Sequence, residues 1–369
     1  MFNLKKKSFK KFDFILFFTT IALCIYGLIL IKSATLSYGN YYKYLKSQSI
    51  AIVLGVIAIF ILVLMDYQFL GKLYIPIYII SNFLLIAVLL WGFGEDTWGS
   101  RSWLSVGGII FQPSEFVKIG LIISLSKFID NNKETINEPF TLFKILAFAG
   151  FPILLIWRQP DAGTSIVFAF FIALMLFIAG LDWRYVGYAF GAVLVALPVL
   201  WLKLKPYQKD RIFDFLQPER NPTGTNYQAI QGKIAIGSGK VFGRGLYHGV
   251  QTQYNYIPEK QTDFIFAVLV EELGFMGGML LLGMYFILIN RLIKIARNSS
   301  DLFGSLMVVG ISAMLVFHIW ENIGMTMGLM PITGIPLPFL SHGGTFLLIN
   351  MVGIGIALSV GMNREGLNF

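Results

Sequence analysis

The chain has 369 residues, a net charge of +9, 56% hydrophobic residues and only 13% charged residues, with a mean hydropathy of +0.71. A soluble domain carries about 25% charged residues, so this chain lacks the charge to wet a soluble surface and reads as an all-α polytopic membrane protein. Most of its positive charges flank apolar runs and no RNP, helix-turn-helix or finger pattern is present. That excludes nucleic acid and favours membrane lipids or an anionic lipid-linked substrate as partners.

One cysteine, Cys24, cannot form an internal disulfide, and three scattered histidines (His248, His318, His342) do not make a soluble-style zinc site. Five lysines between Lys5 and Lys11 precede a first apolar run over 14–31. That run exceeds the roughly 7–15 residues of a signal-peptide core and lacks a clear cleavage site, so it is expected to stay as a first helix.

Ten apolar runs approach the roughly 20 residues that cross a bilayer. They centre on 14–32, 48–65, 73–91, 115–129, 144–157, 164–180, 184–202, 264–290, 303–324 and 344–361, the fourth and fifth being short. They are continuous rather than alternating, which excludes a β-barrel. With the N-terminus inside, the short inner segments carry 14 Lys and Arg and the short outer segments 5. This predicts inner termini and about ten helices, with a large outer loop, 203–262, between the seventh and eighth.

Residues 98–120, WGSRSWLSVGGIIFQPSEFVKIG, are the first chemistry-bearing stretch. Trp98 and Trp103 suit an interface belt, and 112–115 reads as a helix start with Pro near its first turn. Glu115 and Lys118 stand i,i+3 and can pair. They either neutralise one another or line a polar cavity that orients a substrate. Arg101 is expected at the outer face, either gripping phosphate or anchoring on headgroups. In the next tight turn, RQPDAGTS, Asp161 can N-cap a helix, and Arg158 beside it suggests a polar cluster.

The 203–262 loop is not of low complexity, and spaced apolar residues over 227–238 predict a short amphipathic helix. Gly237, Gly239, Gly243 and Gly245 with Lys240 and Arg244 either cradle a phosphate through backbone N–H groups or form a flexible turn. No Walker pattern accompanies them. Asp263 then stands where the loop gives way to an apolar helix. It is either part of an N-cap with Thr262 or a partly desolvated carboxylate acting as general base. Glu271 and Glu272 lie about two turns further in, where one should pair with a cation or polar group. Finally, His318, Glu321 and Asn322 share a helix face. Prolines and glycines over 331–344 force a non-helical segment, tolerated at membrane depth only where protein buries it or it lines a cavity.

PEKQTDFIFAVLVEELGF, NIGMTMGLMPITGIPLPFLSHGGT, FQPSEFVK and QPDAGT together resemble the SEDS family, which includes RodA, FtsW and SpoVE. The motifs occur in the family's order and span nearly the whole chain, and VQTQYNYIPEKQTDFIF looks most like RodA. One departure is His342, where the family pattern leads one to expect Tyr.

The resemblance implies a single transmembrane domain over 1–369 and a peptidoglycan glycosyltransferase of the bacterial cytoplasmic membrane. It would polymerise lipid II at the outer face during elongation, together with a class B penicillin-binding protein. The family's essential carboxylate falls on Asp263, and its Glu and Lys on Glu115 and Lys118. Its turn acid falls on Asp161 and its outer-loop Arg on Arg101. Arg101, Lys118 or basic loop residues such as Lys240 and Arg244 would stabilise the leaving pyrophosphate. No compact ligand set demands a metal, although a divalent cation could assist. The alternatives are a flippase for a lipid-linked precursor, with acids spread through the bundle, and a non-catalytic scaffold for the cross-linking enzyme.

Overall fold

The structure, a computed structural model, describes residues 11–94, 101–203, 206–217 and 226–363. Trp98, residues 218–225 of the long loop, and Lys5, Lys6, Lys7, Lys10 and Arg364 of the charge count lie outside the described residues.

The first half of the chain comprises α1 (Phe14–Thr35), α2 (Tyr41–Leu64), the short α3 (Gln68–Lys72) and α4 (Tyr74–Trp91). A small hairpin follows, β1 (Leu104–Val106) and β2 (Ile109–Phe111), and then α5 (Pro113–Asn131), α6 (Pro139–Arg158) and α7 (Ala162–Ile178). The second half has α8 (Trp183–Lys203), α9 (Pro206–Leu216), α10 (Tyr227–Gly239), the single turn α11 (Val250–Gln253), α12 (Ile265–Arg297), α13 (Leu302–Met327) and α14 (Gly344–Met362).

Each of the ten apolar runs lies in one of these helices. Among the described residues, seven are long and apolar enough to cross a membrane: α1, α2, α4, α6, α12, α13 and α14. The apolar α7 has only 17 residues, and α5 carries Glu115, Lys118, Lys127 and Asp130. The hairpin has no counterpart in the sequence reading; it pairs Leu104 with Phe111 across a turn at Gly107 and Gly108.

Burial divides the helices. The central α13 and α14 are mostly apolar and mostly buried, as expected of a bundle core. By contrast, α2 and α4 turn Val53, Phe60, Ile79 and Phe83 outward, where only lipid would accept such a surface.

Two side-chain pairs fix α1 to α12. At one end Asp13 caps α1 by accepting from Leu16 N (3.0 Å) and pairs with Arg291 (2.7 Å). At the other end Ser33 Oγ donates to Glu272 (2.5 Å). Twenty helical residues separate these links, about 30 Å, which matches the hydrocarbon thickness of a bilayer. Glu272 therefore stands at the far polar boundary of the bundle, with Asp263 beyond it.

The predicted helix over 227–238 exists as α10, but it does not lie flat on the bundle end. It descends parallel to α12, with Gly232 against Phe264 and Gly239 against Val270. The chain then turns through 240–249 and climbs back towards Asp263.

Candidate active site

The N-cap residue of α12 is Phe264, whose side chain makes no cap bond. Neither Thr262 nor Asp263 occupies the N-cap position: Thr262 Oγ1 donates back to Glu259 O, and Asp263 closes a turn by donating its N–H to Glu259 O (3.1 Å). Asp263 is half-buried. Its backbone carbonyl accepts from the Asn322 amide (2.8 Å), which also donates to Ile335 O (2.8 Å). Its carboxylate abuts Gly334, where an added Cβ would stand 3.4 Å from Asp263 Oδ2. Gly334 has φ +73°, so glycine serves both the backbone and the close approach there.

The turn before Asp263 is stitched to the segment after α13. Ser341 Oγ donates to Thr262 O (2.6 Å) and accepts from Leu337 N (2.8 Å). The His342 N–H donates to Gln261 O (2.8 Å). Gln48 of α2 holds the same segment by donating to Ser341 O (3.1 Å) and accepting from Gly343 N (3.1 Å).

As the spacing predicts, His318, Glu321 and Asn322 share one buried face of α13. They hold consecutive parts of the 331–338 segment. Glu321 accepts from Thr333 Oγ1 (2.8 Å), Asn322 reaches Ile335 O, and His318 Nδ1 lies 3.4 Å from Pro336 O. This ladder, which makes the non-helical segment a fixed wall beside Asp263, is legible in sequence only as a shared helix face.

Glu115 and Lys118 pair at 2.9 Å on the first turns of α5. They do not line an open cavity. Lys118 is 1% exposed and Glu115 6%, and the ammonium also meets His318 Nε2 (3.0 Å) and sits 5.5 Å from the centre of the Phe346 ring. Lys118 is therefore sealed away from any pyrophosphate.

Asp161 does cap α7, accepting from Thr164 N (3.0 Å), and its other oxygen accepts from Gln112 Nε2 (3.1 Å) and Ser102 Oγ (3.4 Å). The polar cluster exists without Arg158, which points outward. Gly163, two residues on, packs on Thr333, so this turn meets the same wall as Asp263. Arg101 is half-buried rather than fully exposed. Its Nε donates to Gly92 O (2.6 Å) and its N–H to Gln159 O (3.2 Å), beside the Asp161 turn.

The phosphate-cradle reading of Lys240 and Arg244 fails. The loop's N–H groups are already used: Gly243 donates to Gly239 O (2.7 Å), Arg244 to Glu271 O (3.0 Å) and Gly245 to Glu272 O (3.0 Å). In return Phe275 N and Met276 N donate to Lys240 O (2.9 Å) and Val241 O (3.1 Å). In an unbroken helix the 271 and 272 carbonyls would accept from 275 and 276. Here the loop substitutes for both pairs at the break at Gly274 (φ 66°, ψ −168°). Lys240 and Arg244 extend outward from it as exposed side chains.

Glu271 and Glu272 take polar donors rather than cations. Glu271 accepts from Gln251 N (2.7 Å), Thr252 N (3.0 Å) and Thr252 Oγ1 (2.7 Å), and Glu272 from Ser33. Lys260 carries no signal in the sequence. Wholly buried, it donates to Ser37 Oγ (2.8 Å), Asn255 Oδ1 (2.6 Å) and Thr252 O. Burial pushes its ammonium down to about 8, against the opposing pull of Glu271 and Glu272. Among the described residues, no group of three or more His, Cys, Asp or Glu converges as a metal site.

The family model for FtsW, RodA and SpoVE, described as cell cycle protein, matches residues 14–366. The chain belongs to the FtsW/RodA/SpoVE family. It is 41% identical over 296 residues to the peptidoglycan glycosyltransferase MrdB of Escherichia coli K12, covering 79% of this chain and 78% of that protein. It is 38% identical to the stage V sporulation protein E of Bacillus subtilis, covering 94% of this chain and 96% of that one.

Among solved structures, it superposes with a TM-score of 0.82 and 32% identity on a chain of a peptidoglycan synthase complex that coordinates polymerization and crosslinking. The match covers 96% of this chain and 99% of that one. The rod shape determining protein RodA of Thermus thermophilus gives a TM-score of 0.72 at 29% identity, covering 96% and 98%. The family match and the RodA likeness bear out the resemblance in the sequence, and these superpositions extend over the α12–α14 core that carries Asp263 and its wall.

Proposed function

We propose that the chain is a peptidoglycan glycosyltransferase that polymerises lipid II at the outer face of the bacterial cytoplasmic membrane, with Asp263 as its general base. The observation that carries the base assignment is Asp263 itself. It is half-buried, and it is fixed through its backbone by Asn322 and through Gly334 against a rigid wall. A base held in this way needs no reorganisation when a sugar hydroxyl arrives.

In the reaction, the 4-hydroxyl of the acceptor sugar gives its proton to Asp263. Its oxygen bonds to the anomeric carbon of the growing chain, the bond from that carbon to pyrophosphate breaks, and undecaprenyl pyrophosphate leaves with the electron pair. Arg101, held beside the Asp161 turn at the same end of the bundle, is the candidate cation for that leaving charge. Lys118 is removed from that list by its burial, and Lys240 and Arg244 by their place at the far end of α10.

Transport fits the arrangement less well. Residues 119–126 of α5, 302–317 of α13 and all of α14 carry no charge, so no string of acids leads from the site through the core. The excess of Lys and Arg at the opposite end supports inner termini and an outward-facing Asp263. The partner in this reading is a class B penicillin-binding protein, which cross-links the strands.

The test is polymerisation of lipid II by the purified chain, with and without that partner. Asp263→Asn should lower turnover by about 100-fold or more while the protein stays folded. Retained turnover in folded D263N would remove the base assignment, and absence of polymerisation by the wild-type chain in either condition would leave a scaffold. Repeating the assay with a chelator reads whether a divalent cation assists.

A further inference from the structure

Lys118 and His318 are both sealed in the core, 1% and 2% exposed, and meet at 3.0 Å. An ammonium is a donor only, and Lys118 pairs through it with the Glu115 carboxylate at 2.9 Å. The nitrogen facing it, His318 Nε2, must therefore be the acceptor. That leaves the ring proton on Nδ1, the nitrogen that faces Pro336 O. The order is directional: Glu115 carboxylate, Lys118 ammonium, His318 Nε2, His318 Nδ1–H, Pro336 carbonyl. Pro336 adjoins Ile335, whose carbonyl shares the Asn322 amide with the carbonyl of Asp263.

We infer that His318 is a positioning residue for this transferase: its neutral Nδ1–H tautomer ties the buried Glu115–Lys118 pair to the wall that holds Asp263. This gives the ion pair, closed to substrate, a part in catalysis. It sets the tautomer of His318, and His318 sets the height of Pro336 and hence of Gly334 against the Asp263 carboxylate. The Phe346 ring, 5.3 Å from the imidazole, closes the remaining side. The inference rests on Asp263 being the base.

The test compares His318→Leu and His318→Gln in the full-length chain, with its cross-linking partner present. Gln offers an oxygen that can accept from Lys118, whereas Leu leaves a buried ammonium with one acceptor fewer. H318L should lower kcat for lipid II polymerisation by about 10–100-fold through misplacement of the base, with KM little changed, and H318Q should recover most of that loss. Nitrogen-15 spectra of histidine-labelled protein should show one neutral ring protonated on Nδ1 that is absent in H318Q.

Unchanged kcat in H318L overturns the inference, as does an Nε2-protonated ring at this position. A loss that spares neither KM nor fold and is not relieved by Gln reduces His318 to packing and overturns it too. Failure here with inactive D263N leaves the base assignment standing, whereas active D263N removes that assignment first. If H318L does not fold, H318Q turnover and the spectra decide.

Discussion

His342 is the residue most exposed to acid among those that hold the Asp263 turn. Its ring packs edge-on against Tyr44 (5.1 Å between centroids), its Nε2 is buried without a partner, and its N–H holds Gln261, two residues before Asp263. Burial lowers its proton affinity below the ordinary value of 6.5, so the folded chain holds it neutral. As pH falls through 6.5 the unfolded state takes up the proton first. Stability present above 6.5 is therefore lost progressively down to the lower folded value. Thermal unfolding in detergent between pH 8 and 5 should show His342→Tyr gaining on the wild type as the pH drops below 6.5; a pH-independent difference would refute the assignment.

Single residues were unevenly legible in the sequence. Asp161 could be read because a cap needs only a short polar side chain before an apolar run. Glu115 with Lys118 could be read because i,i+3 spacing is a local rule. Whether that pair faces a cavity or the core is a tertiary fact, and the core was the answer. Lys260 gave no signal, since a lysine in a polar loop looks solvated until the loop folds onto it.

At the scale of elements, the break in α12 and the loop over 240–249 form one device. The loop replaces two helical hydrogen-bond pairs, so neither the break nor the loop is satisfied without the other. Gly274 sits in a backbone region that is essentially glycine-only, and a Cβ there would run into Gly243 N and Val241 O. Gly274→Ala should destabilise the protein by about 1–3 kcal/mol and open 240–249 to limited proteolysis; an unaltered melting temperature and digest would refute the coupling. The glycines of this loop were conspicuous in the sequence, but spacing alone does not say where their N–H groups point. Helix α10 was legible from its periodicity, whereas its descent along α12 was not, because small residues on one face signal close packing without naming the partner.

At the scale of the whole molecule, the ten apolar runs were legible because continuous hydrophobicity is a local property, and each is found within a helix. Which helices form the core and which face lipid depended on packing. The two links between α1 and α12 show the difference, since Asp13 and Arg291 are 278 residues apart in sequence. Asp13 is buried and Arg291 a quarter exposed, so breaking the pair should cost about 2 kcal/mol, below the roughly 3–5 kcal/mol of a fully buried pair. Arg291→Ala should lower the unfolding temperature in detergent. The exchange of both residues, D13R with R291D, should restore only part of it, because an arginine side chain before α1 has no oxygen with which to cap the helix. Full additivity of the two single substitutions would show that the pair contributes nothing.

The same links make α1 and α12 a gauge of bilayer thickness. Both are polar, and helical geometry fixes their separation at about 30 Å. In a bilayer whose hydrocarbon layer is several ångströms thicker, either the Asp13–Arg291 pair or the Ser33–Glu272 contact must enter oil, or the helices must lie closer to the membrane normal. Tilting α12 moves its N-terminal end, and Asp263 stands just beyond that end. Lipid chain length is thereby coupled to the height of the Asp263 carboxylate above the membrane, a lever that acts without a ligand or a partner.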